Sequence, residues 1–263
     1  MSDQRSKHRG VSRGGKGTAD ARVRARAAEL VGRGMPSHMA NAVAHGRLEL
    51  NAALERMARS DRVNALMNRH GLSRALATQV AIGHADLDQV LARQRLSAHR
   101  TEHRDRTCLE PGRTLALALT SGRIVKGVLG EVTPYGFQLA TEDATLDVHK
   151  LEAKYSYDPA DWKRLKKGVK IDRTAQAAPA APSERPQNRY GCSDKRLFGY
   201  LDGEVEVLTT LLEGERLRGH VRWFGRYEFG MTLRGGVDAV VFRHALARLA
   251  PVAPQGSGSG EGR

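Results

Sequence analysis

LLEGERLRGHVRWFGRYEFGM, residues 211–231, and LTSGRIVKGVLGEVTPYGFQL, residues 119–139, align without a gap at an offset of 92. Gly122 falls on Gly214, Gly127 on Gly219, Val132 on Phe224, Tyr135 on Tyr227 and Phe137 on Phe229. After one added residue the match resumes, with VHKLEAKY (148–155) against VFRHALARL (241–249). Self-similarity of this kind means that one supersecondary unit is built twice. In the second copy, VEVLTTLLEG (205–214) reads as a strand entering a turn at Glu213-Gly214. ERLRGHVRWFGRYEF (215–229) reads as a long second strand that Gly219 lets curl, because a missing Cβ removes the steric barrier. VDAVVFRHALARL (237–249) adds two apolar stretches on either side of a polar turn at Arg243-His244. The pattern predicts a small, strongly curved antiparallel barrel in each copy.

A different repeat precedes these modules. GMPSHMANAVAHGRLELNAALERM (34–57) aligns with GLSRALATQVAIGHADLDQVLARQ (71–94) at an offset of 37. Ala and Leu recur at three- and four-residue spacing, which predicts helices. Ser37 and Ser73 stand where helices open, and Gly34, Gly46, Gly71 and Gly83 where left-handed residues end them. The paired apolar positions are expected to face one another in a compact bundle. The chain is therefore read as an α+β multidomain protein, with an N-terminal α-helical repeat bundle followed by two small five-stranded antiparallel β-barrels. The expected divisions are a disordered basic arm at 1–18, the helical double repeat at 19–105 and a first barrel at 110–158. A basic segment with an Ala/Pro-rich linker follows at 159–196, then a second barrel at 197–251 and a flexible tail at 252–263.

Among 263 residues, 43 Lys and Arg stand against 29 Asp and Glu, a net charge of +14. Such an excess favours a polyanionic partner, because released counterions help to drive binding. No apolar run approaches the roughly 18 residues of a membrane helix, and the basic N-terminus lacks the apolar centre of a signal peptide. Cys108 and Cys192 are far apart, which speaks against a disulfide scaffold and for a reducing, cytoplasmic setting. Paired carboxylates, a nucleophile elbow, a P-loop and a dinucleotide fingerprint are all missing, so the chain reads as a non-enzyme without cofactor or small-molecule substrate. His99, His103 and Cys108 have tempting spacings but no evident fourth ligand, so no metal is expected.

The second module resembles the bacterial Sm-like RNA chaperone family, Hfq. The resemblance rests on Gly214, on Gly219 five residues later, on Tyr227 thirteen after the turn glycine, and on the turn Phe242-Arg243-His244-Ala245-Leu246. It covers about 45 residues; the first copy, with Gly122, Gly127, Tyr135 and Val148-His149-Lys150-Leu151, is a weaker match. The resemblance implies Sm-like barrels joined into a homo-oligomeric ring by β-strand pairing, which binds single-stranded, uridine-rich RNA and promotes RNA pairing in post-transcriptional regulation. Carried over by position, it makes Tyr227 a base-stacking residue, Arg243 and His244 RNA contacts, and Tyr135 and Lys150 their counterparts in the first copy.

Departures from the family pattern are also plain. The acidic residue expected two positions before the aromatic is Gly225, Arg226 follows it, and Leu151 replaces a histidine. Thr210 stands where the purine-binding face carries an aromatic, and Asp202, Glu204 and Glu206 stand where rim cations are expected. Two rival readings follow from other features. The helical repeats suggest a DNA-binding regulator in which the barrels only oligomerise, and the charge alone would suit a solubilised assembly scaffold. Trp162, within DPADWKRLKKGVK, reads as an anchor for a short helix or, less naturally, as a base-stacking residue.

Overall fold

The computed structural model describes residues 16–177 and 181–252. The expected arm up to residue 15 and the expected tail from 253 lie outside the described residues. The chain divides into two compact units, residues 1–92 and 93–263.

In the first unit the 37-residue repeat emerges as helices whose starts match at that offset. After α1 (Lys16–Gly32), α2 (Ser37–Ala44) is repeated by α4 (Arg74–Ala81), and α3 (Leu50–His70) by the beginning of α5 (Leu87–His103). The Ser73 hydroxyl caps α4 by accepting from the Leu76 amide at 3.4 Å. Gly34, Gly46, Gly71 and Gly83 all have positive φ, between 63° and 89°. The apolar positions form two separate clusters in place of a single bundle core. One holds Leu30, Met35, Ala40, Val43 and Ala53, and the other Val63, Leu72, Ala77, Ala81 and Val90. The 21 residues of α3 explain this, because about 30 Å of helix carries its two ends into different repeats.

The second unit corrects the expectation of two small, closed Sm-like five-stranded barrels. It contains one open antiparallel sheet of eleven strands. Strands β1 (Thr114–Leu119), β2 (Ile124–Val132), β3 (Gly136–Ala140), β4 (Thr145–His149) and β5 (Ala153–Tyr157) form one half. β7 (Glu206–Leu211), β8 (Glu215–Phe224), β9 (Glu228–Leu233), β10 (Val237–Phe242) and β11 (Leu246–Pro251) form the other, and the short β6 (Lys170–Ile171) pairs with β8. The order β11-β7-β8-β9-β10-β5-β1-β2-β3-β4 runs fifth, first, second, third, fourth in each half. Neither half closes on itself, because the turn Lys150–Glu152 carries the chain from β4 across to β1, and β5 then offers its remaining edge to β10. Backbone groups that a closed barrel would satisfy internally are satisfied by the other half.

The duplicated glycines are dictated by this geometry. A Cβ on Gly127 would sit on the Ala140 carbonyl oxygen, and one on Gly219 on that of Thr232. In each half the second strand therefore crosses the third at a point where only glycine fits.

Two cores underlie the sheet. The first half buries Leu117, Leu129, Phe137 and Leu139 with Cys108. The second buries Leu211, Leu217, Phe229 and Val241 against Leu197 and Phe198 of α8 (Asp194–Asp202). Between the halves lie α6 (Trp162–Gly168) and α7 (Arg173–Ala177), within the segment read as basic and linker-like. Leu165 is fully buried, and Trp162 stacks on Tyr157 with ring centroids 6.2 Å apart, as an anchor would. Among the described residues, no helix is long and apolar enough to cross a membrane.

Candidate nucleic-acid interface

Tyr227 and Tyr135 occupy the turns between the second and third strands of their halves, and they are the most exposed large hydrophobic side chains among the described residues, at 65% and 77%. The same main-chain bond fixes both turns. The Arg243 amide donates to the Tyr227 carbonyl at 2.8 Å, and the Lys150 amide to the Tyr135 carbonyl at 2.8 Å. Each polar turn thus clips its tyrosine loop in place, so the 92-residue repeat extends to the hydrogen bonding of the loops. Duplicated, outward-facing phenol rings on rigid turns are suited to stacking on unpaired bases.

The polar side chains take roles that the spacing alone does not reveal. Arg243 donates to the carbonyls of Gly225, Arg226 and Cys192 at 3.0–3.3 Å and to Asp194 Oδ1 at 2.8 Å. It is a clamp between the tyrosine turn and the start of α8. Lys150 Nζ similarly donates to the Thr133 carbonyl at 2.6 Å, bracing the Tyr135 turn. His244 is largely buried, and its Nε2 donates to the Ala153 carbonyl at 2.8 Å, across the junction of the two halves. Burial pushes its pKa down to about 4, so the imidazole is neutral at physiological pH.

Further cations near Tyr227 come from a segment outside the duplicated module. From residue 93 onward α5 lies against the second half, where the His99 ring packs tilted against Phe224 with centroids 4.2 Å apart and accepts the Phe224 amide at 3.3 Å. Burial lowers the His99 pKa, consistent with a neutral acceptor nitrogen. Ser97, Arg100, Thr101 and Arg104 stand at i, i+3, i+4 and i+7, one face of a helix. They line a groove of about 660 Å³ whose other wall is Phe224, Gly225, Arg226 and Arg243. Arg226 lies over the Tyr227 ring, 5.1 Å from its centroid. Asp194 bridges Arg100 at 3.0 Å and Arg243 at 2.8 Å, so one carboxylate tempers four converging guanidinium groups.

Gly225, the departure from the acidic residue of the family pattern, is explained here. A Cβ at this position would lie 2.7 Å from the Arg106 carbonyl oxygen. The chain that leaves α5 runs directly over the turn and leaves no room for an acidic side chain. Sequence reasoning missed Arg100, Arg104 and Arg226 as a set; the regular spacing of Ser97, Arg100, Thr101 and Arg104 at the end of α5 and just beyond it was there to be read, but its approach to Arg226 was not.

The residues weighed for a metal are otherwise engaged. The His99 and His103 rings pack at a tilt with centroids 4.4 Å apart, and Cys108 contacts the buried Glu228 through its amide at 2.7 Å and its thiol at 3.3 Å. Among the described residues, no group of three or more candidate ligands is placed to hold a metal ion. Compared with known proteins, the chain matches no family model and no curated protein.

Proposed function

We propose that this protein binds single-stranded, uridine-rich RNA without chemical transformation of it, acting as an RNA chaperone in the cytoplasm. The observation that carries this reading is the pair of exposed tyrosines, each braced by the same main-chain bond, with an arginine-lined groove beside the second. Bases stack on Tyr227 and Tyr135, and phosphates lie along Arg100, Arg104 and Arg226. Stacking is tolerant of sequence, and cations add affinity without specificity. Arg243 and Lys150 hold the stacking turns in place, and His244 acts at the junction of the halves.

Copies of the chain assemble edge to edge into a ring. Support comes from β4 and β11, each of which bonds a single neighbouring strand among the described residues, and from the β5–β10 pairing, which already joins the counterparts of β11 and β4 within one chain. A cytoplasmic setting suits two free, buried cysteines whose thiol pKa values burial has raised.

Salt-titrated binding to oligo-U, oligo-A and duplex DNA tests the reading. A preference for oligo-U that Tyr227→Ala weakens is expected. Tight duplex binding unaffected by that substitution would instead favour a DNA-binding regulator acting through the helical repeats, and absence of binding at moderate salt would favour a scaffold.

A further inference from the structure

A second groove, of about 670 Å³, crosses the face of the sheet at the junction of the halves, apart from the tyrosine turns. It runs from Trp223 in β8 over β9 and β10 to Asp158, just past β5. The pairing of β8 with β9 shifts between Val221 and Trp223, leaving Arg222 as the extra residue of a bulge, a feature that re-aims side chains. The Trp223 indole lies against Gly230, where a Cβ would collide with its Nε1, and the Arg106 guanidinium lies over that indole, 4.5 Å from its centroid. Arg222 Nε donates to Thr232 Oγ1 at 3.1 Å, and the Thr232 hydroxyl donates to Asp238 Oδ1 at 2.7 Å. A relay across three strands thus fixes one carboxylate at the groove.

The first half shows that folding does not require this set. At the places matching Arg222, Trp223 and Gly230 it has Gly130, Glu131 and Gln138, and at those matching Thr232 and Asp238 it has Ala140 and Thr145. It nonetheless forms the same five strands, with a bulge of its own in β2. Of the other carboxylates along the groove, Asp161 pairs with Arg164 at 2.8 Å and Asp158 caps the turn after β5. Arg106, Arg113 and Arg222 also line it; they are exposed and form no ion pair among the described residues.

We infer that this groove takes a guanine nucleotide, with its base on the Arg106 plane, its pairing edge at Asp238 and its phosphate towards Arg113. Unpaired bases are read by stacking on guanidinium planes and by hydrogen bonds to their pairing edges. A carboxylate offers acceptors and no donor. Guanine alone among the four bases presents adjacent donors there, N1–H and N2–H, whereas uracil presents a single N–H between carbonyls that a carboxylate repels. The inference rests on the RNA-binding reading and deepens it, adding a base-selective subsite beside the uridines at Tyr227. The chain at 104–106 passes over Gly225 and places Arg104 in one groove and Arg106 in the other. Thr210, which holds the purine-face position of the Sm-like family, is buried and lies outside this groove.

Titration calorimetry of the full chain with GMP, AMP, CMP and UMP tests this, beside anisotropy with oligo-U and with oligo-U carrying one guanine. GMP should bind about tenfold more tightly than the other three, as one well-placed bidentate pair discriminates. Asp238→Asn, which exchanges an acceptor for a donor, should abolish that preference. Glu110→Gln removes an equal charge from the same groove and should retain it. A thermal melt of each variant verifies that the fold persists, as substitutions at exposed positions allow. A tighter complex with the guanine-bearing oligonucleotide places the guanine within RNA; a GMP preference without that gain keeps the guanine site and assigns it to the free nucleotide. Equal affinity for the four nucleotides overturns the site, as does a preference that survives Asp238→Asn or is lost equally in Glu110→Gln. Oligo-U binding that depends on Tyr227 then leaves the RNA-binding reading standing, and a wild-type chain that binds neither oligo-U nor GMP overturns both.

Discussion

Tyr227 and His244 lie 17 residues apart and illustrate opposite fates for residues read as RNA contacts. The tyrosine is exposed on a braced turn, so Tyr227→Ala removes a stacking surface and little of the fold. A loss of ~1–3 kcal/mol is expected, roughly a 5- to 150-fold rise in Kd for oligo-U by fluorescence anisotropy. Tyr227→Phe should retain most of the affinity, because the ring and not the hydroxyl does the stacking. His244 is committed to the junction. Its folded pKa lies below the ordinary histidine value, so the unfolded chain binds more protons between pH 6.5 and about 4. Stability is therefore complete above pH 6.5 and falls as pH drops through that window, by ~1–3 kcal/mol from this group. Urea unfolding of wild type and His244→Asn at pH 7 and pH 4.5 measures it, and the variant should show a shallower dependence.

At the level of elements, the duplicated glycines and the arginine-lined groove beside the end of α5 are the critical features. Gly219→Ala forces a methyl group onto the Thr232 carbonyl and should destabilise the sheet by ~1–3 kcal/mol, or roughly 2–4 °C of Tm per kcal/mol. Gly127→Ala should behave alike, since its Cβ would meet Ala140. On the groove side, replacing Arg104 and Arg226 with Gln should weaken oligo-U binding without moving Tm. The slope of log K against log salt concentration should become shallower by about 0.7 for each phosphate that is no longer neutralised.

These elements also show what the sequence made legible. The Gly122/Gly214 and Gly127/Gly219 pairs mark turn and crossing in both copies, because their constraints are local. Arg243 looked like a free cation because its acceptors at Cys192 and Asp194 lie about 50 residues away. His244 depends on Ala153, 91 residues upstream.

For the whole molecule, closure was the property hardest to read. Each half contains the five strands that the alternation and turns predict, yet whether β5 is matched within its own half or by β10 depends on pairing between distant segments. Lys154 illustrates the same limit: a lysine in an ordinary-looking strand is fully buried because Glu215 lies 61 residues further on. The resulting open sheet sets two tyrosine turns in one covalent unit and, among the described residues, leaves β4 and β11 each with one neighbouring strand. On the proposed reading, edge-to-edge assembly multiplies the tyrosine turns, and several sites engaged on one RNA raise avidity with each site unchanged.

Photo-crosslinking of the full chain to an oligo-U containing 4-thiouridine, mapped by mass spectrometry, tests the central claim most directly. Adducts are predicted in the peptides carrying Tyr227 and Tyr135 and should diminish with unlabelled oligo-U as competitor. Adducts confined to the helical repeat before residue 93, or unaffected by that competitor, would contradict the assignment of the tyrosine turns as the RNA-binding surface.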